Sequence, residues 1–175
     1  MERSTCIMQE TNRGDPSALD EPPPVPVHSV VAGDNNPCGL RKSDSFPICW
    51  GRPPLPAAVP MQAPAKAVAS ASRVACAIRE DTSVINCWGD ANGGEIPPAG
   101  EFTALRFSTG SYCASRTDGT LACWGVIKDF MLPNTPQGSF RDFCVGELFG
   151  CGIHPDGTLA CWGLNTRGQA SPPPR

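Results

Sequence analysis

Short runs of alternating apolar and polar residues, separated by glycine, proline and aspartate, recur along the chain. The clearest pair is Ser111–Arg116 and Thr120–Gly125, which flank Asp118-Gly119, a dipeptide that favours a tight β-hairpin turn. A further short apolar run lies upstream of each hairpin, around Val30, Val68, Phe107 and Val145. The pattern therefore predicts an all-β protein built from repeated groups of short strands.

One tripeptide, Cys-Trp-Gly, occurs four times and contains every tryptophan of the chain. The tryptophans recur every 36 to 38 residues, at Trp50, Trp88, Trp124 and Trp162. Each unit has a second cysteine upstream, at Cys38, Cys76, Cys113 and Cys151. A fixed period of this size predicts a repeat architecture.

The turn lengths fix the register of each predicted hairpin. A three-residue turn that ends at Gly119 places Cys113 opposite Cys123, and the same count around Pro155–Gly157 places Cys151 opposite Cys161. The first two hairpins are one residue longer, and a four-residue turn restores the opposition. We therefore predict four disulfides, each at a closely spaced, non-hydrogen-bonded pair: Cys38–Cys49, Cys76–Cys87, Cys113–Cys123 and Cys151–Cys161.

Each tryptophan follows a paired cysteine by one residue, so its side chain points to the opposite face of the sheet. A hairpin with a disulfide on one face and an indole on the other must be covered on both faces. We expect stacked neighbouring repeats to provide that cover, which gives Trp50, Trp88, Trp124 and Trp162 structural roles.

Composition narrows the class of protein. A net charge of −3 does not suggest the basic surface of a nucleic-acid-binding protein, and no apolar run is long enough to predict a membrane span. Ten cysteines, eight of them in hairpin pairs, favour an oxidising compartment. Zinc is the rival interpretation, but the closely spaced cysteine ligands of zinc knuckles are missing. The first residues lack the apolar core of a signal peptide.

Two cysteines, Cys6 and Cys144, remain outside the four pairs and are expected to carry unpaired thiols. Residues 1–20 are open to two interpretations. They form either a disordered, acidic, proline-rich tail or the remnant of a preceding repeat. The repeats themselves occupy residues 21–175, with hairpins near 38–51, 76–89, 113–125 and 151–163.

Residues 150–169 read Gly-Cys-Gly-Ile-His-Pro-Asp-Gly-Thr-Leu-Ala-Cys-Trp-Gly-Leu-Asn-Thr-Arg-Gly-Gln. This pattern resembles the regulator of chromosome condensation repeat, in the cysteine-paired version of secreted bacterial proteins and crinkly4-type receptor kinase ectodomains. The first two hairpins depart from it, because they lack Asp-Gly. The resemblance implies a β-propeller with one blade per repeat. Four blades fall short of the usual ring, so we expect an incomplete or open ring that self-associates through its open edge.

No phosphate-binding loop, zinc-protease motif or nucleophile elbow occurs in the sequence. We therefore expect no catalytic, metal-binding or cofactor-binding residues. The favoured function is an extracellular, non-enzymatic scaffold that presents propeller loops to a protein or peptide partner and binds no nucleic acid. The alternative is an intracellular chromatin-associated or nucleotide-exchange protein, as the founding family member is.

Overall fold

The computed structural model describes residues 24–33, 36–51, 59–71, 73–89, 96–125 and 135–172. These residues form twelve strands in four three-stranded antiparallel sheets, and each sheet takes its strands in chain order. Sheet 1 comprises β1 (Val27–Val31), β2 (Cys38–Arg41) and β3 (Pro47–Cys49). Sheet 2 comprises β4 (Ala65–Ala71), β5 (Val74–Arg79) and β6 (Ile85–Gly89). Sheet 3 comprises β7 (Phe102–Ser108), β8 (Ser111–Arg116) and β9 (Leu121–Trp124), and sheet 4 comprises β10 (Asp142–Val145), β11 (Phe149–Ile153) and β12 (Leu159–Gly163). The all-β prediction is confirmed.

Two kinds of turn close the hairpins between the second and third strands. In sheet 3, Arg116 N donates to Thr120 O at 2.8 Å and Gly119 adopts a φ of 85°, as the Asp-Gly signal predicts. Sheets 1 and 2 use the longer turn, in which Ser45 and Ser83 take left-handed φ values of 57° and 59°. These hairpins lack glycine there, so a serine adopts a conformation that non-glycine residues seldom adopt.

The first strand of each sheet follows the upstream apolar run. Ala65–Ala71 is a strand although its alanine content favours a helix, because its alternate side chains pack into two different cores. The small residue near the end of the first strand allows a close approach between sheets. A Cβ added to Gly33 would lie 2.9 Å from the hydroxyl oxygen of Ser70 in sheet 2.

A backbone hydrogen bond joins each sheet to the next at the hairpin turn. The residue at the entry to β4, β7 or β10 donates its amide hydrogen to the turn of the preceding sheet. The pairs are Ala65 N to Ser45 O (2.9 Å), Phe102 N to Ser83 O (2.8 Å) and Phe140 N to Gly119 O (2.9 Å). The acceptor is in each case the residue with the left-handed φ.

The hydrophobic cores lie between consecutive sheets. Trp88 of sheet 2 shares a core with Cys38 and Cys49 of sheet 1. Trp124 of sheet 3 shares a core with Cys76 and Cys87 of sheet 2, and Trp162 of sheet 4 shares one with Cys113 and Cys123 of sheet 3. Each of these three indoles is therefore buried in the same core as the disulfide of the preceding sheet, as the alternation of faces requires.

The described sheets do not close into a ring. Their main contacts connect sheets 1 and 2, 2 and 3, and 3 and 4, and none of comparable extent connects sheet 4 to sheet 1. The two end faces are correspondingly less covered. Trp50 of sheet 1 and the Cys151–Cys161 pair of sheet 4 are half-buried, whereas Trp88, Trp124 and Trp162 are buried.

Candidate functional site

The four expected disulfides are present, and each closes one hairpin. Their Cα–Cα distances are 4.0 to 4.1 Å, which is the close spacing of non-hydrogen-bonded pairs. Cys144 lies in β10 directly opposite Cys151, is half-buried and takes no part in these four disulfides. Cys6 and the segment 1–20 lie outside the described residues.

Three of the four tryptophans, Trp88, Trp124 and Trp162, are packing residues in the three inter-sheet cores. The indole Nε1 atoms of Trp88, Trp124 and Trp162 are buried, and no acceptor within the described part of the chain bonds to them. Trp124 also contacts the ring of Phe107 edge-on, at 5.8 Å between centroids. None of these indoles is placed to bind a ligand, so the candidate site lies elsewhere.

A groove of about 810 Å³ runs along the first strands of sheets 2, 3 and 4, on the side where the hairpin turn of sheet 3 meets the entry to β10. Its lining includes four cationic side chains and one carboxylate, which are Lys66, Arg106, Arg116, Arg141 and Asp142. Phe140, Phe143 and Ile153 contribute apolar atoms. A volume of this size is typical of ligand-binding pockets.

Irregularities in β4 and β7 position two of the groove residues. The pairing of β4 with β5 shifts register between Ala65 and Ala67, so Lys66 is an extra residue in the strand. The pairing of β7 with β8 shifts in the same way between Phe102 and Ala104, at Thr103. Such β-bulges redirect a side chain and are frequent beside functional sites. Both bulged residues line the groove.

Arg106 joins sheet 3 to sheet 4 across the groove. Its Nη2 atom lies 3.5 Å from Oδ1 of Asp142, and its guanidinium carbon lies 5.7 Å from the centroid of the Phe143 ring. Its Nη1 atom also donates to the carbonyl of Leu105 at 2.9 Å. These contacts hold the guanidinium in place while about a third of the Arg106 side chain stays exposed.

The other cations differ in how they are held. Arg116 donates from Nη1 to Ala99 O at 3.0 Å, and its guanidinium lies over the Phe102 ring, so it is largely structural. Lys66 donates from Nζ to the Ser83 hydroxyl at 2.6 Å and is exposed. Arg141 is exposed at the entry to β10. Lys66 and Arg141 are therefore the cations most accessible to a ligand.

The exposed cations of the groove present hydrogen-bond donors to the solvent, and the carboxylate of Asp142 lies beside Arg106 in the same lining. In the described segments, no group of three or more histidine, cysteine, aspartate or glutamate side chains is placed to hold a metal ion. Those segments also contain no helix that is long and apolar enough to cross a membrane.

Sequence reasoning missed this groove. Its four cations come from a β-bulge, from the middle of a first strand, from the end of a second strand and from the residue before β10, so they share no motif. A weaker signal lies in and directly before the first strands. Consecutive repeats each have a cation there: Lys66 in β4, Arg106 in β7 and Arg141 directly before β10.

The chain resembles known proteins in both sequence and structure. Residues 140–169 match the family model of the regulator of chromosome condensation (RCC1) repeat. No curated protein sequence matches the chain significantly.

Solved structures with the same fold include two receptor ectodomains. The CRINKLY WD40 ectodomain of the Arabidopsis thaliana receptor kinase ACR4 is 26% identical, with a TM-score of 0.66 over 81% of this chain and 52% of that one. The ectodomain of the Physcomitrella patens receptor kinase CR4 is 25% identical, with a TM-score of 0.65 over 79% of this chain and 39% of that one.

Yeast RCC1 (Prp20), crystallised with Kap60, shares the fold at 12% identity, with a TM-score of 0.61 over 84% of this chain and 46% of that one. The chain thus spans about half the length of these structures or less. The matching repeat at 140–169, the four alike sheets and the four hairpin disulfides agree with one another. The chain is therefore an array of propeller-type repeats similar to the regulator of chromosome condensation family.

Proposed function

We propose that this chain is an extracellular, non-enzymatic binding scaffold that presents the groove and the neighbouring hairpin turns to a protein or peptide partner. The groove carries the proposal, because it is a sizeable surface lined by strands of three different sheets. Its side chains are cations, aromatic rings and small residues, which suit recognition better than bond-breaking chemistry.

The extracellular part of the proposal is supported by the cysteines. Four disulfides in a chain of this length are typical of proteins that fold in an oxidising compartment. Two of the structural neighbours are ectodomains of receptor kinases.

The compartment is tested by trapping thiols in the native host with a mass-tagged alkylating reagent, without reductant. We expect at most two tagged thiols per chain, since eight of ten cysteines are disulfide-bonded. Labelling of all ten would favour the intracellular alternative, a chromatin-associated or nucleotide-exchange protein.

The scaffold role is tested by photo-crosslinking from the groove. A photoreactive amino acid at Thr103, which is exposed and lines the groove, is compared with the same group at Glu147. Glu147 is exposed between β10 and β11, at the end of sheet 4 opposite the groove. We expect a discrete adduct with a host protein or peptide from position 103 and none from position 147. Equal crosslinking from both positions, or from neither, would contradict a scaffold that binds through this groove.

A further inference from the structure

We propose that the groove binds an extended acidic segment of a peptide chain, an inference that rests on the proposed binding function. Four cationic side chains and one carboxylate line the groove, so its formal charge is +3 (four minus one), whereas the whole chain carries −3. Cationic residues are therefore concentrated in the groove, although the net charge of the whole chain is negative. Such a local field attracts anionic groups and disfavours cationic ones.

The cations are arranged for more than one anionic group. Lys66 lies on the β4 bulge, Arg106 lies in β7, and Arg141 precedes β10, so the charges come from three neighbouring sheets. Arg106 keeps part of its guanidinium exposed beside Asp142. A ligand with carboxylates spaced along its length matches this arrangement better than a single small anion, because guanidinium and carboxylate groups pair with directed hydrogen bonds.

The backbone lining the groove favours a peptide over other polyanions. The strands β4, β7 and β10 are each at the edge of their sheet. An extended peptide could pair its own amides with such edges, as in β-strand addition. A phosphate or sulfated sugar offers no equivalent donors and acceptors.

The test uses fluorescein-labelled peptides of about ten residues, long enough to extend past one strand. One alternates glutamate with alanine, and its matched control has glutamine in place of glutamate. We expect the fluorescence anisotropy of the glutamate peptide to rise on titration with the protein and that of the glutamine peptide to stay constant. Binding should weaken as salt rises from about 0.05 to 0.5 M, because the charges are partly exposed.

Single variants connect binding to the groove. Arg141→Gln and Lys66→Gln should each weaken the binding of the glutamate peptide by about twofold to fivefold, the range for an ion pair between exposed groups. Lys42→Gln removes the same charge at an exposed residue that does not line the groove, and it should bind as the parent does. Unchanged tryptophan fluorescence would show that the variants remain folded.

Three results would overturn the proposal: equal binding of both peptides, an equal loss in Lys42→Gln, or stronger binding of a fluorescein-labelled oligonucleotide than of the glutamate peptide. The crosslinking experiment tests the scaffold role independently of the peptide titration. If neither peptide binds but Thr103 still crosslinks to a discrete partner, the scaffold role stands and the acidic-segment proposal is overturned. If Thr103 gives no adduct either, both proposals fail.

Discussion

The backbone amide of Phe140, at the entry to β10, donates a hydrogen bond of 2.9 Å to the carbonyl oxygen of Gly119 in the hairpin turn of sheet 3. Equivalent bonds connect Phe102 to Ser83 and Ala65 to Ser45. The hairpin turn is thus both the end of one sheet and the attachment point of the next. A left-handed residue at the acceptor position is part of that attachment.

The first prediction compares two glycines that share a backbone conformation but not their surroundings. Gly119 and Gly157 have φ values of 85° and 89°. A Cβ at Gly119 would lie 2.9 Å from Cβ of Ser139, whereas nothing lies within 4 Å of a Cβ at Gly157. Alanine at either site should cost about 1 kcal/mol through the left-handed conformation. Gly119→Ala should cost more, because Ser139 must also move.

Urea denaturation of the two variants measures this difference. Gly157→Ala is the matched control, because it strains the same left-handed backbone conformation while its added Cβ meets no neighbouring atom. Equal free energies of unfolding would show that the turn of sheet 3 does not bear on the attachment of sheet 4.

The second prediction concerns the indoles. Trp88 and Trp162 are buried between sheets and only 5% and 2% exposed, whereas Trp50 is half-buried on an end face. Trp88→Ala and Trp162→Ala should each reduce the free energy of unfolding by roughly 3–5 kcal/mol, the usual cost of truncating a buried aromatic residue. Trp50→Ala should cost clearly less. Denaturation curves that rank Trp50→Ala beside the other two would contradict the inter-sheet packing.

The third prediction concerns acid stability. Hydrogen bonds from the hydroxyl and the amide of Thr120 lower the pKa of Asp118 from its usual value. Because the folded-state pKa lies below the unfolded value of about 3.9, the turn stabilises the fold fully above that pH and loses this contribution as pH falls through the folded pKa. Thr120→Val removes the hydroxyl donor, so part of the acid dependence should disappear.

Thermal melts of the parent, Thr120→Val and Asp118→Asn between pH 6 and pH 2 would measure this effect. The melting temperature of the parent should fall more steeply with acid than that of Asp118→Asn. Parallel curves for all three proteins would show that this turn contributes nothing to the pH dependence.

The fourth prediction is that the open array self-associates, which we propose from its uncovered ends. Val30 of β1 is 59% exposed, and the sheets described here do not form a closed ring. Exposed apolar residues on an unpaired edge favour association. Light scattering should give a mass above the 18.4 kDa of one chain, rising with concentration.

Two variants distinguish association through β1 from nonspecific hydrophobic aggregation. Val30→Lys should lower the mass, whereas Ile96→Lys, at an 85% exposed residue outside the strands, should not. A compact monomer at high concentration would contradict the prediction.

The hairpins could be predicted from the sequence because their register depends only on local counts. The turn at Gly119 and the opposition of Cys113 to Cys123 follow from residues that are adjacent in the chain. The first strands were predictable for a different reason, since the repeat period outweighed the helical propensity of Ala65–Ala71.

The groove could not be predicted in this way. Its shape depends on how three sheets lie beside one another. The β-bulge that places Lys66 in the groove cannot be detected from the pattern of apolar and polar residues. The difference between Trp50 and the other tryptophans is likewise invisible locally, because the tripeptide is the same in each repeat. Only the position of a sheet in the array decides which indole is covered.

Each repeat contains a hairpin closed by its own disulfide, and this pairing sets the face on which each tryptophan lies. Non-reducing peptide mapping by mass spectrometry tests it directly on the oxidised, full-length chain. It should recover four linkages, Cys38–Cys49, Cys76–Cys87, Cys113–Cys123 and Cys151–Cys161. Linkages between cysteines of different repeats would contradict the hairpin register, and with it the packing of each indole beside the disulfide of the preceding sheet.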